Sequence, residues 1–125
     1  MRFLKKLDLD LLNENSPNVC IIPINNNILG KENLISTISR HINSPYISDN
    51  WDGLDEALRD LSWMSEQEVR IIHYDIPLLS SPDMRIYLKI LNNIEEYWKT
   101  ITLKNNRKQV NIYSLDSLKE LIPKF

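Results

Sequence analysis

The sequence has little of what usually announces a chemistry. Its 125 residues include one cysteine, two glycines and two histidines. Cys20 has no internal partner, so there is no disulfide framework and no demand for an oxidising compartment. It sits in the apolar run Val19-Cys20-Ile21-Ile22 and reads as a small buried hydrophobe rather than a reactive thiol. Gly30 and Gly53 are too few and too far apart to form a phosphate-cradling loop. His41 ends a predicted helix and His73 lies in a predicted strand. There is no His-Cys-acid cluster at metal spacing, so no metal site and no cofactor are expected. No Ser/His/Asp or Cys/His nucleophile arrangement can be assembled. No apolar run approaches the ~20 residues of a membrane span. Asp8 and Asp10 interrupt what would have to be the apolar region of a signal peptide, so a cytoplasmic protein is expected. Neither charge sign dominates: 15 Lys+Arg against 17 Asp+Glu give a formal net charge of −2. That total lacks the basic excess of a nucleic-acid binder or of a polybasic membrane-surface protein.

What is present fits one domain spanning residues 1–125. At 42% hydrophobic residues the chain can build a core without staples. Residues 1–17 form a polar-flanked lead-in. Val19–Ile24 is a β-branched run closed by Asn25-Asn26-Asn27, a buried strand. Leu34, Ile35, Ile38 and Ile42 fall at helical spacing within 30–42, and Pro45 stops that helix. A loop from Tyr46 to Asp49 leads to a helix over Trp51–Leu61, with Asn50 or Asp49 as N-cap and Asp52 in the first turn. Val69–Tyr74 is a second strand. Ser81-Pro82-Asp83 opens a long helix carrying Ile86, Ile90, Leu91, Ile94 and Trp98. After a basic turn, Lys104–Lys108, Val110–Tyr113 is a third strand, and Leu115–Ile122 is predicted as a short terminal helix. Short apolar strands alternating with helices give an α/β class: a small three-stranded parallel sheet packed with helices.

The charge is unevenly distributed. Residues 43–68 hold seven acids (Asp49, Asp52, Asp55, Glu56, Asp60, Glu66 and Glu68) and one base, Arg59, a net of −6. The total of −2 therefore leaves +4 for the rest of the chain. Within the 51–61 helix, Trp51, Leu54, Leu58 and Leu61 form one apolar stripe. Asp52, Asp55, Glu56 and Asp60 lie opposite it. Asp52 and Glu56, and Glu56 and Asp60, are like charges four residues apart, each pair costing the helix a few tenths of a kcal/mol.

Such a face is either a solvated helix surface or a docking surface. Its single sign, and the aromatic Tyr46 just before it, suit docking onto a cationic partner: acids steer the approach and an aromatic anchors it. Two nearby carboxylates are also the raw material of a general acid/base pair. That use needs one carboxyl buried so that its pKa rises, whereas these acids are expected to be exposed and ionised. Lys104-Asn105-Asn106-Arg107-Lys108 is short and has no interleaved aromatics, so it reads as a solvated turn rather than a nucleic-acid patch.

The stretch Asp49-Asn50-Trp51-Asp52-Gly53-Leu54-Asp55-Glu56-Ala57-Leu58-Arg59-Asp60-Leu61-Ser62-Trp63, with Pro45-Tyr46 before it, resembles the central motif of the barstar family. That motif runs Asn, an apolar residue, Asp, a small residue, Leu, two variable or acidic residues, a small residue, Leu. The match is fairly specific over about 20 residues, and element order extends a weaker likeness over Val19–Tyr113. Residues 1–17 and 115–125 would be additions to a core of about 18–114. Members of the family are small intracellular inhibitors of secreted bacterial ribonucleases.

The resemblance implies a small three-stranded parallel sheet with helices, and an inhibitor whose acidic helix and preceding loop cover a nuclease's basic cleft. Carried over by position, Tyr46 is the loop aromatic, Asn50 the helix-start Asn and Asp52 the first motif acid. Glu56 takes the place of the acid that dominates binding, one methylene longer than an Asp there. Asp55 and Leu61 stand where the best-known member has aromatics, and Ser48 where a glycine is common. A further acid on the later helix corresponds to Glu95 or Glu96.

The sequence thus points to an immunity protein binding a cognate toxin nuclease, an RNase, in a 1:1 complex. No cofactor, direct nucleic-acid contact or membrane is involved. Tyr46, Asn50, Asp52, Asp55, Glu56 and Asp60 form the expected partner-binding face. The rival readings are an interaction or regulatory module with a non-nuclease partner and an enzyme using Asp52 and Glu56.

Overall fold

The computed structural model describes residues 1–46, 48–105 and 108–122, and leaves the side chains of 102–105 undescribed. The chain folds as β1 (Arg2–Leu4), α1 (Lys6–Leu12), β2 (Val19–Ile24), α2 (Lys31–His41), α3 (Trp51–Asp60), β3 (Glu68–His73), α4 (Ser81–Asn105) and β4 (Gln109–Leu115). A 3-10 turn, Asp116–Leu118, follows. Among the described residues the sheet has four strands in the order β1-β4-β3-β2, not the three expected. All three pairings are parallel.

The missed strand lies in the stretch read as a lead-in. β1 is only three residues long and registers Arg2, Phe3 and Leu4 against Tyr113, Ser114 and Leu115. Strand pairing is made by backbone groups, and three residues carry no hydrophobic period to betray it. The expected terminal helix over Leu115–Ile122 is also corrected. Leu115 ends β4, and the chain then makes only the 3-10 turn, with Leu118 buried. Of the expected basic turn 104–108, Lys104 and Asn105 belong to α4, while Asn106 and Arg107 lie outside the described residues.

The period-two alternation of the strands divides the core. Cys20, Val69 and Val110 share one row, and Ile22, Ile71 and Ile112 the next, all facing the large core beneath α2, α3 and α4. Ile72 and Tyr113 point to the other face, where α1 covers them with its buried Leu9. Arg70 ties α1 to the sheet: Nη1 donates to the Leu12 carbonyl at 2.9 Å while Nε and Nη2 grip the Glu68 carboxylate. Burial alone would raise the Glu68 carboxyl, but hydrogen bonds from Arg70 and Asn111 outweigh it and hold the group below its ordinary range.

Candidate functional site

α3 sits between the end of α2 and the long α4. Its Leu54, Ala57 and Leu58 are buried, with Leu61 fully buried just beyond. At roughly 1.5–3 kcal/mol for each buried leucine, this stripe fixes which face of the helix points outward. Trp51, expected in the stripe, is only partly buried. Its ring stacks on Tyr87 at 6.1 Å and Nε1 donates to Asp83 at 3.1 Å. At the other end, the Trp98 indole of α4 donates to the Leu58 carbonyl at 2.7 Å. Both ends of α3 are therefore pinned to α4 by indoles.

The helix begins as its sequence asks. Asn50, extended at the N-cap, accepts from the Gly53 amide at 2.8 Å. It ends one residue earlier than expected, because Leu61 adopts left-handed backbone (φ 52°) at the C-cap. A side chain there costs about 1–2 kcal/mol of strain relative to glycine, and complete burial of Leu61 offsets it.

The expected acids fall on the outward side of α3, though they are not equivalent. Asp52 and Glu56 are exposed and have no ion pair among the described residues. Asp55 is partly covered and paired with Arg59, whose Nε lies 3.2 Å from both carboxylate oxygens. The Arg59 guanidinium also lies over the Tyr97 ring at 5.3 Å. Asp60 closes the helix and accepts the Tyr46 hydroxyl at 2.8 Å and the Ser62 amide at 3.3 Å. Hydrogen bonds from Ser62 and Tyr46 hold its carboxyl below the usual carboxylate range. The same bond and charge push the Tyr46 phenol above its ordinary value.

Tyr46 is half exposed and meets Trp63 edge-on, ring centroids 5.6 Å apart at 81°. Trp63 is itself anchored by an Nε1 hydrogen bond to the Ile42 carbonyl at 2.7 Å. The loop aromatic is thus a fixed feature, held at its hydroxyl and by its ring. Trp63 was absent from the expected site. It lies seventeen positions along the chain from Tyr46, and no local spacing predicts the contact. Beside Tyr46 runs an open groove of about 620 Å³ between Ser39 and Arg40 of α2 and Ser44 and Ser48 of the loop. No acid is among its described lining residues, and Arg40 is one of them.

The structure also trims the charge count. Glu68 lies in β3, engaged by Arg70, and Glu66 lies in the irregular segment before that strand. The face of α3 and its loop therefore carries Asp49, Asp52, Asp55, Glu56 and Asp60 against Arg59, a formal −4. Of the two acids considered on α4, Glu95 meets the terminal ammonium of Met1, and Glu96 is exposed.

The remaining candidates are structural. The Cys20 thiol is pushed up to about 11 by burial and by the nearby Glu66 charge, and donates to the His41 carbonyl. His73 is buried, with Nδ1 at 3.0 Å from the Tyr113 carbonyl and Nε2 at 2.6 Å from the Tyr87 hydroxyl. Among the described residues no group of three or more His, Cys, Asp or Glu side chains is placed to hold a metal ion. Nor is any helix among them long and apolar enough to cross a membrane.

The family model described as Barstar (barnase inhibitor) matches residues 22–114, from within β2 to the last but one residue of β4, with the whole acidic face between them. No curated protein and no solved structure matches the chain. With about three-quarters of its residues under that match, the chain belongs to the Barstar (barnase inhibitor) family.

Proposed function

We propose that the protein is an immunity protein that binds a cognate toxin nuclease, an RNase, one to one. It acts in the cytoplasm of the bacterium that makes the toxin, and plugs the toxin's cationic active site with α3 and the loop before it. The observation that carries this reading is the pair Asp52 and Glu56, exposed on one helix face without ion-pair partners among the described residues. A solvated surface gains little from two unbalanced carboxylates one turn apart, which repel each other. A surface that must imitate RNA phosphates gains electrostatic steering from them.

Each expected residue has a part. Glu56 takes the place of a substrate phosphate against the enzyme's Arg, Lys or His, with Asp52 beside it. Tyr46, fixed by Asp60 and Trp63, supplies a rigid aromatic anchor at low entropic cost. Asn50 caps the helix and so aims its first turn, and Asp55, held by Arg59, adds a preorganised carboxylate at the edge. Inhibition by occlusion needs no catalytic group and no cofactor.

The test is co-expression with a cationic toxin nuclease, the first candidate being any such domain encoded beside this gene. Growth rescue together with a 1:1 complex supports the reading. Continued toxicity, or rescue without a complex, refutes it and favours an interaction module with a non-nuclease partner.

A further inference from the structure

Gly53 is the third residue of α3, inside a helix, where glycine is a poor choice. Its backbone is not left-handed, so conformation does not explain it. Space does. A β-carbon at this position would lie 1.9 Å from the Ser48 Oγ and 2.4 Å from the Ser48 Cβ. Rotation of the Ser48 side chain relieves the first clash but not the second, because a β-carbon is fixed to the backbone. Any side chain at position 53 therefore requires the Ser48 backbone and the first turn of α3 to move apart.

Ser48 is part of a closed set of contacts. Its Oγ accepts from the Asn50 amide at 3.3 Å, and Asn50 in turn caps the helix at Gly53. Tyr46 lies two residues before Ser48 and is fixed to Asp60, the last residue of α3. The loop thus meets α3 at two points, at Gly53 near its start and at Asp60 at its end.

We infer that Gly53 and Ser48 are a coupled pair of positioning residues. The missing side chain of Gly53 lets Ser48 lie against α3, and that close approach holds Tyr46 in its pocket of Trp63 and Asp60. The inference rests on the binding face proposed above, since it says how that face keeps its shape. Neither residue need touch the partner.

The test uses the full chain as Gly53→Ala, Ser48→Gly and the double variant. The primary measurement is independent of any partner: the nuclear Overhauser contacts between the Tyr46 and Trp63 rings, read with thermal unfolding. Gly53→Ala is expected to weaken these ring contacts and to forgo the gain that alanine brings inside a helix. With Ser48→Gly already in place, the same substitution is expected to keep the ring contacts and raise Tm by roughly 3–6 °C. Full ring contacts and a raised Tm in Gly53→Ala alone overturn the inference. If Gly53→Ala cannot be purified, a folded double variant supports the coupling and an unfolded one overturns it. Barnase serves as the probe of binding. If it binds the wild type, Gly53→Ala is expected to weaken binding at least about tenfold and the double variant to restore it; equal affinity of all three overturns the role in binding. If barnase does not bind the wild type, that result counts against the functional reading for this nuclease, while the ring contacts still decide the coupling.

Discussion

His73 makes the stability of this protein dependent on mild acid. Its ring is enclosed between β4 and α4, accepting from the Tyr87 hydroxyl at Nε2 and donating from Nδ1 to the Tyr113 carbonyl. Both bonds are made by the neutral ring, and burial drives its pKa from 6.5 down to about 4. An unfolded chain takes up a proton near pH 6.5 that the folded chain refuses until about pH 4. Because the folded value is the lower one, the stabilisation is complete above pH 6.5 and is lost as the pH falls toward 4. The whole gap is worth about 3 kcal/mol, and between pH 7.5 and pH 5 the loss is about 2 kcal/mol. Glu68 acts in the same direction but only below its ordinary value of 4.5, so pH 5 separates the two groups. With a urea m-value of about 2 kcal/mol/M, the wild-type midpoint should drop by about 1 M between those pH values. His73→Gln, which keeps a donor and an acceptor but cannot titrate, should start less stable and lose most of that pH dependence. An unchanged wild-type midpoint at pH 5, or the same drop in His73→Gln, would refute the argument.

Three further outcomes are expected. Glu56→Ala should weaken binding of the cognate nuclease by about 2 kcal/mol or more while slightly stabilising the isolated helix, whose like-charge neighbours are removed. Titration calorimetry and thermal melts read the two effects, and a Asp52/Glu56 double alanine variant that binds like the wild type rules out the assigned centre. Asp60→Ala removes both the hydrogen bond and the charge that raise the Tyr46 phenol, so its pKa should fall toward 10.0 in a ¹³Cζ tyrosine titration; no movement would mean that the hydroxyl does not rest on Asp60. Asn50→Ala deletes the N-cap of α3 and should cost about 1 kcal/mol in urea unfolding, with an unaffected midpoint arguing against the cap.

Much of the fold was legible because its signals are local. The apolar rows of β2, β3 and β4, the helical spacing of Leu34, Ile35 and Ile38, and the Asn50 cap all follow from backbone periods of 2 and 3.6 residues. β1 was not legible, since three residues have no period and join the sheet through backbone groups alone. The acidic helix face was legible for the same reason as the apolar stripe, being its complement. The inequality of its acids was not. Whether Asp55 is paired, or Asp60 receives a phenol, depends on side-chain reach and on where the loop lies.

By itself the sequence determined which side of α3 is buried and that the other side is acidic. It also placed the motif that marks the family between Pro45 and Trp63. Tertiary structure alone decided that Trp63 backs Tyr46, that Gly53 makes room for Ser48, and that Glu66 and Glu68 leave the acidic face. The physical reason is range. A helix dictates neighbours three or four residues away, but contacts seventeen residues apart exist only once packing has chosen the path of the chain between them.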